Sequence, residues 1–225
     1  MEFTHKPVLL AECIEALHIR PEGIYVDGTL GRAGHSREIA RRLITGRLIC
    51  VDRDQAAIDA AQERLAPWMD HVTLVHSNFD RISDILDELG LSGVDGMLFD
   101  LGVSSPQLDD ASRGFSYMHD APLDMRMDAS APLTAYEVVN TWSYEELRRI
   151  LFEYGEERYA PAIAKKIVQA RETAPVKTTL ELAELIRSAM PAAALREKQH
   201  PAKRSFQAIR IAVNGELDAL PPMLS

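Results

Sequence analysis

Tyr25-Val26-Asp27-Gly28-Thr29-Leu30-Gly31-Arg32-Ala33-Gly34-His35, together with the downstream run Gly46-Arg47-Leu48-Ile49-Cys50-Val51-Asp52, decides how this chain folds. An apolar run ends at an acid, glycines follow at spacing three, and Ser36-Arg37-Glu38-Ile39-Ala40-Arg41-Arg42-Leu43 has the composition of a helix. That order is strand, tight loop, helix start. Glycine lets the backbone turn with positive φ and approach a ligand closely, and free N–H groups at a helix start face whatever occupies the loop. A second acid, Asp52, closes the next apolar run 18 residues after Gly34. This is near the roughly twenty-residue interval at which a carboxylate meets the hydroxyls of a ribose. The pattern reads as a nucleoside-cofactor site.

The glycine spacing is not the G-x-G-x-x-G of dinucleotide binders, and Asp27 stands where a pyrophosphate would bring negative charge. Both features favour S-adenosylmethionine over NAD. Its sulfonium and ammonium charges tolerate neighbouring carboxylates, and its adenosine offers a ribose. A nicotinamide-dependent dehydrogenase is the competing enzyme class, disfavoured by the spacing and by the lack of a hydride-transfer constellation. The local sequence is also compatible with an ordinary βα turn.

Composition bounds what surrounds this site. The chain has 225 residues, of which 46% are hydrophobic and 26% charged, enough for one or two cores. No apolar run approaches the length that spans a bilayer, and the N-terminus lacks a basic segment followed by an apolar one, so a cytoplasmic protein without membrane contact is expected. Cys13 and Cys50 sit in apolar segments at no metal-ligand spacing; they read as reduced thiols, and no metal site is expected. The formal net charge of −9 opposes indiscriminate nucleic-acid binding but permits a local basic face.

Apolar β-like runs at 24–27, 48–51, 72–76 and 96–100 alternate with helical patterns at 36–44, 55–65 and 82–89. Ile82, Ile85, Leu86 and Leu89 recur at i, i+3, i+4 and i+7. The alternation predicts an α/β fold with a parallel sheet of Rossmann-like type, right-handed crossovers, and a ligand beyond the carboxyl ends of the strands. Asp27, Asp52, Ser77-Asn78-Phe79 and Asp100 are the strand-end residues. After Asp100 the alternation stops at a segment, Leu101 to Asp110, read as a loop, and only helical patterns follow at 135–141, 144–154, 159–172 and 180–190, with a last one at 205–220. The expected organisation is a cofactor-binding α/β domain over 1–110, an inserted helical substrate-recognition domain over 111–200, and a helix over 201–225 returning to the first domain. A doubly wound sheet calls for further strands, so the pattern reads as truncated at its C-terminus.

Ser105-Pro106-Gln107 follows the fourth strand, where methyltransferases acting on exocyclic amines carry a polar-Pro-Pro-aromatic loop; the match is partial. An exocyclic amine is a poor nucleophile because its lone pair is delocalised into the ring. A side-chain oxygen and a backbone carbonyl accepting its two N–H groups would turn that lone pair toward a methyl donor. Ser105 and Pro106 are the candidate catalytic residues, against the plainer reading of a Ser-Pro turn.

The chain resembles the bacterial S-adenosylmethionine-dependent methyltransferases, called RsmH or MraW, that modify N4 of a cytidine in 16S ribosomal RNA. The resemblance runs through His5-Lys6-Pro7-Val8-Leu9-Leu10, Asp27-Gly28-Thr29, Gly34-His35-Ser36, Val51-Asp52-Arg53-Asp54, Asp100 to Asp110, Arg113-Gly114-Phe115-Ser116, Pro122 to Asp128, Tyr154-Gly155-Glu156-Glu157-Arg158 and Phe206-Gln207-Ala208-Ile209-Arg210. It implies that Ala33, Gly34 and His35 contact S-adenosylmethionine and that Asp52, Phe79, Asp100 and Gln107 complete its pocket. Physical roles follow: Asp52 for the ribose hydroxyls, Phe79 for the adenine face, Asp100 for the ammonium group. Two departures stand out. The family carries glycine where this chain has Ala33, which requires an Ala-compatible φ there, and the family's tail supplies further strands. For a truncated chain the alternative is a cofactor- or RNA-binding fragment without activity.

The implied partner is 16S ribosomal RNA or the small ribosomal subunit. Arg196, Lys198, Lys203, Arg204 and Arg210 against Glu197 give a local +4 in an acidic protein. Lys203, Arg204 and Arg210 are the candidate RNA contacts, since such cations neutralise phosphates and release counterions; a solvated helix face explains the same residues. In Asp124-Met125-Arg126-Met127-Asp128, Arg126 reads as paired with flanking carboxylates in a structural turn.

Overall fold

The computed structural model describes residues 7–224, so His5 and Lys6 lie outside the described residues. Two compact units divide the chain: Met1–Ser105 with Asp218–Ser225, and Pro106–Leu217. The first is an α/β unit. It runs α1 (Leu10–Ala16), β1 (Ile24–Asp27), α2 (Gly34–Ala40), β2 (Arg47–Asp52), α3 (Gln55–Arg64), β3 (Val72–His76), α4 (Ile82–Glu88) and β4 (Gly96–Leu98). The four strands form a parallel sheet in the order β3-β2-β1-β4, with Asp27 level with Cys50 and Leu98, and Asp52 level with His76.

The central residues of β1 and β2 are apolar on both sides because both faces of the sheet are covered there. Tyr25, Leu48 and Cys50 pack on one side with Ile39, Ala40, Ile58, Ala61 and Leu65; Val26, Ile49 and Val51 pack on the other with Ile82, Ile85 and Leu86. Each fully buried aliphatic side chain contributes about 1.5–3 kcal/mol. The last helix, α11 (Leu220–Leu224), returns Met223 to the second of these clusters.

Several boundaries differ from the spacing-based expectation, among them the end of the last long helix, at Asn214 instead of 220, and three within the first 110 residues. Helix α2 stops at Ala40 instead of 44, since the N–H groups of Ile44, Thr45 and Gly46 converge on the carbonyl of Pro21. Strand β4 stops at Leu98 instead of 100: the Asp100 N–H donates to the Thr29 side-chain oxygen at 2.6 Å, not to a neighbouring strand. The segment expected as a loop at Ser105-Pro106-Gln107 is a short helix, α5 (Ser105–Asp109), with proline in its first turn, where its missing N–H and fixed φ are tolerated.

The second unit is helical: α6 (Ala135–Thr141), α7 (Tyr144–Glu153), α8 (Ala160–Arg171), α9 (Thr179–Ala189) and α10 (Lys203–Asn214). Capping boxes start α6, α7 and α9, with Thr134 and Glu137, Ser143 and Glu146, and Thr178 and Glu181 satisfying each other's backbone N–H groups. Val138, Leu147, Ile150, Leu151, Ile163, Ile167, Leu182 and Ile186 are fully buried. Helix α7 packs on α8, α8 on α9, and α10 on α6 and α7. A side chain at Gly155 would overlap the carbonyls of Leu151 and Arg204, so the close approach of the chain to α10 requires glycine there.

This division differs from the one expected at 110 and 200. Helix α10 lies within the helical unit, where its Phe206, Ala208 and Ile209 are buried, and only 218–225 rejoins the sheet unit. Asn214 closes α10 onto the Asp124–Asp128 turn: its amide donates to the Met125 carbonyl and its oxygen accepts the Met127 N–H, both at 2.7 Å. Arg126 grips both oxygens of Asp124 at 3.0 and 2.7 Å and donates to the carbonyls of Ala129 and Ala131, which is the structural turn that the sequence suggests.

Candidate functional site

The order β3-β2-β1-β4 places a topological switch between β1 and β4, because the chain moves outward from β1 through β2 and β3 and then crosses back to β1's other side. Open α/β sheets bind ligands beyond the carboxyl ends of the strands at such a point. Asp27 ends β1 there, and Phe99 and Asp100 follow β4.

Asp27 is buried, and its carboxylate accepts the Ser36 hydroxyl at 2.5 Å and the Thr29 N–H at 3.2 Å. Burial pushes its carboxyl above the usual range, an effect opposed by these two bonds. Thr29 in turn accepts the Asp100 N–H, which ties the β1 turn to the end of β4. A side chain at Gly28 would run into the Phe99 ring; only glycine lets the β1 turn pass so close to β4.

Asp52 holds the other side of the turn. One of its oxygens accepts the Gly31 N–H and the other the Asp54 N–H, each at 2.8 Å. Burial raises this carboxyl as well. Each oxygen keeps a further lone pair, so two ribose hydroxyls remain within the capacity of the group. Asp54 caps α3 by accepting the Ala56 N–H.

The three expected turn contacts lie together at the start of α2. Ala33 is the N-cap residue, with φ of 58° and ψ of 26°. The Ala-compatible φ that this position calls for is absent: Ala33 occupies the left-handed region. Gly34 approaches Pro7 so closely that a side chain would overlap the proline ring. His35 is buried, and its Nε2 lies 3.2 Å from the Val8 carbonyl. Phe79, after β3, meets Phe99 edge-on at 5.6 Å and 67°, which leaves it half-buried beside the β4 end. Asp100 is exposed.

The remaining expected residues fall elsewhere. Ser105 closes the sheet unit, whereas Pro106 and the buried Gln107 belong to the helical unit. The Pro106 carbonyl, expected to face an amine, accepts the Asp110 N–H at 3.0 Å within α5. In the helical unit Arg210 is held by both oxygens of Glu216, at 2.8 and 3.0 Å, and Arg204 donates to the Glu156 carbonyl at 3.1 Å. Lys203 is exposed. Ser36, Thr29 and Phe99 are the site residues that the sequence reading misses. Ser36 is legible only as a helix-start hydroxyl; that it reaches back to Asp27 depends on the angle between α2 and β1.

Among the described residues, no group of three His, Cys, Asp or Glu side chains is placed to hold a metal ion, and no helix is long and apolar enough to cross a membrane. Cys13 and Cys50 are free thiols.

The MraW methylase family model matches residues 2–225. The chain is similar to the ribosomal RNA small subunit methyltransferase H of Brevibacillus brevis, with 61% identity over 220 residues that cover 97% of this chain and 70% of that protein. The proteins of the same name from Paenibacillus sp. and Symbiobacterium thermophilum are 60% and 57% identical, covering 96% and 98% of this chain and 71% and 70% of theirs.

Proposed function

This chain belongs to the MraW methylase family, and from that premise we propose that it transfers a methyl group from S-adenosylmethionine to N4 of a cytidine in 16S ribosomal RNA of the small subunit, in the cytoplasm. The observation that carries the reading is the set of three carboxylates, Asp27, Asp52 and Asp100, at the carboxyl ends of β1, β2 and β4 around one glycine turn. That donor set fits a ligand with a ribose and positive charges and repels a diphosphate. Bound S-adenosylmethionine supplies an electrophilic methyl group on a sulfonium.

The chain's own residues bind and orient. Asp52 accepts the ribose hydroxyls while the Gly31 and Asp54 N–H groups keep its carboxylate in place. Phe79 offers a ring beside the adenine, and Asp100 takes the ammonium end. Ala33, Gly34 and His35 form the wall of the turn. Ser105 accepts one N–H of the target amine; with the Pro106 carbonyl engaged inside α5, the serine hydroxyl carries more of this orienting role than a bare loop would leave to it. No covalent nucleophile is called for, because the barrier is lowered by position and by acceptors fixed in advance. Lys203 and Arg204 contact RNA phosphates.

Calorimetry with S-adenosylmethionine tests the cofactor half. Asp52→Ala removes a charge-assisted pair and is expected to weaken binding by about 1.5–3 kcal/mol, roughly ten- to a hundredfold, with the far-ultraviolet spectrum unchanged. Unaltered affinity would remove Asp52 from the site. Incubation with labelled S-adenosylmethionine and undermethylated small subunits, followed by nuclease digestion and mass spectrometry, tests the target. Label on any base position other than a cytidine amine would refute the N4 assignment.

A further inference from the structure

The helical unit contains a layered set of rings that cofactor binding leaves unused. Phe206 on α10 is buried. Tyr117 meets it edge-on, with centroids 5.6 Å apart and an interplanar angle of 86°. His200 then lies flat on Tyr117, at 4.4 Å and 9°. His200 is exposed, so the stack runs outward from the core and ends in a planar ring at the surface.

The imidazole is fixed in two ways. Tyr117 covers one face, and Nδ1 accepts the Ala202 N–H at 3.2 Å. An accepting nitrogen carries no proton, which makes the ring neutral with its hydrogen on Nε2. Capping the start of α10 does not by itself explain this arrangement, since Asn, Asp or Ser supplies such an acceptor without an aromatic neighbour. In the same stretch of chain Arg196, Lys198 and Lys203 are exposed, and Glu197 is the one acid between 196 and 204. A protein of net charge −9 thus gathers cations in the stretch of chain that carries this ring.

We propose that His200, backed by Tyr117, is a stacking platform for one nucleobase of single-stranded RNA, with Lys198 and Lys203 on the phosphates that flank it. A flat neutral ring takes the π-face of any base, and cations at its rim follow the backbone; this pairing is how proteins grip single strands. Duplex RNA is a poor fit because its base faces are already stacked. The inference rests on the reading of RNA as substrate and deepens it by naming a contact.

Two substitutions separate stacking from capping. His200→Asn keeps an acceptor for the Ala202 N–H and loses the ring; His200→Phe keeps the ring and loses the acceptor. Binding of a fluorescein-labelled decacytidine RNA to the intact chain, followed by anisotropy, is expected to weaken about five- to a hundredfold for His200→Asn and to stay within about threefold of the parent for His200→Phe. The slope of log affinity against log salt is expected to hold in both variants, since stacking releases no counterions, and to become shallower in Lys203→Ala. Thermal melting of each variant reports its fold independently. If His200→Asn binds like the parent, or if His200→Phe is the weaker of the two, the residue is a helix cap and the inference is overturned. If the parent chain itself does not bind the RNA, the substrate reading fails first and takes the platform with it.

Discussion

Ala33 shows at the scale of one residue how a glycine turn tolerates an exception. Its φ of 58° costs an L-residue about 1–2 kcal/mol. Ala33→Gly relieves that strain but gives up a buried methyl, about 0.8 kcal/mol, and about 0.4–1 kcal/mol of unfolded-chain entropy. The variant is therefore expected to lie within about 1 kcal/mol of the parent in urea unfolding. Ala33→Val, which places a β-branched side chain in the left-handed region, is expected to lose about 2 kcal/mol or more. A Val variant as stable as the parent would contradict the left-handed assignment. Asp27 gives a pH-dependent counterpart. Burial raises its carboxyl above the 3.8 of an exposed aspartate, with the Ser36 and Thr29 bonds pulling the other way and Asp52, Cys50 and His35 among its neighbours. A raised native pKa means that the folded state holds the proton more tightly, so this contribution to stability is complete below the unfolded value and declines as pH rises through the native one. Asp27→Asn cannot ionise. The parent's stability relative to that variant is thus expected to decline as pH rises above the ordinary aspartate value of 3.8, by no more than about 1.4 kcal/mol per pH unit. Parallel urea midpoints across that range would refute a raised carboxyl.

Among the elements, α10 carries an internal contradiction. Phe206, Ala208 and Ile209 bury its apolar face, yet Ser205 is fully buried on the same helix and its hydroxyl has no hydrogen-bond partner among the described residues. A buried polar group left unpaired costs about 1–3 kcal/mol. Ser205→Ala is expected to raise stability by about 1 kcal/mol, read as a higher urea midpoint at unchanged slope; destabilisation would show that the hydroxyl is satisfied. Strands and helices up to 100, apart from α1, which the sequence reading misses, were legible because each carries its own period or apolar run. Val72–His76 matches its expected span, and Ala135–Thr141 does likewise within the helical unit. Two of the ends that shifted, at Ala40 and Leu98, are those where a backbone group bonds to a residue distant in sequence: Pro21 in one case and Thr29 in the other. Periodicity contains no trace of such partners.

For the whole molecule, charge distribution matters more than net charge. A total of −9 coexists with the cationic stretch at 196–204, and if Lys203 and Arg204 touch phosphates, neutralising both is expected to make the salt dependence of RNA binding shallower by about 0.7–0.9 per lost contact while S-adenosylmethionine affinity stays constant. An unchanged slope would assign them to a solvated face. Arg210 illustrates why sequence density alone misleads: Glu216, six residues away and with no helical period to announce it, holds its guanidinium with two bonds. What the sequence by itself determined is the parallel α/β class, the strand-end acids, the glycine turn and the family. Each of these is written in residues close together in the chain, where local sterics and apolar runs act directly. Only the tertiary structure decided that β4 lies beside β1, that Ser36 reaches Asp27, that Asp52 ties the Gly31 turn, and that α10 joins the helical unit. Those outcomes depend on which buried faces meet and which backbone groups then need partners, and both are settled by packing between segments far apart in sequence.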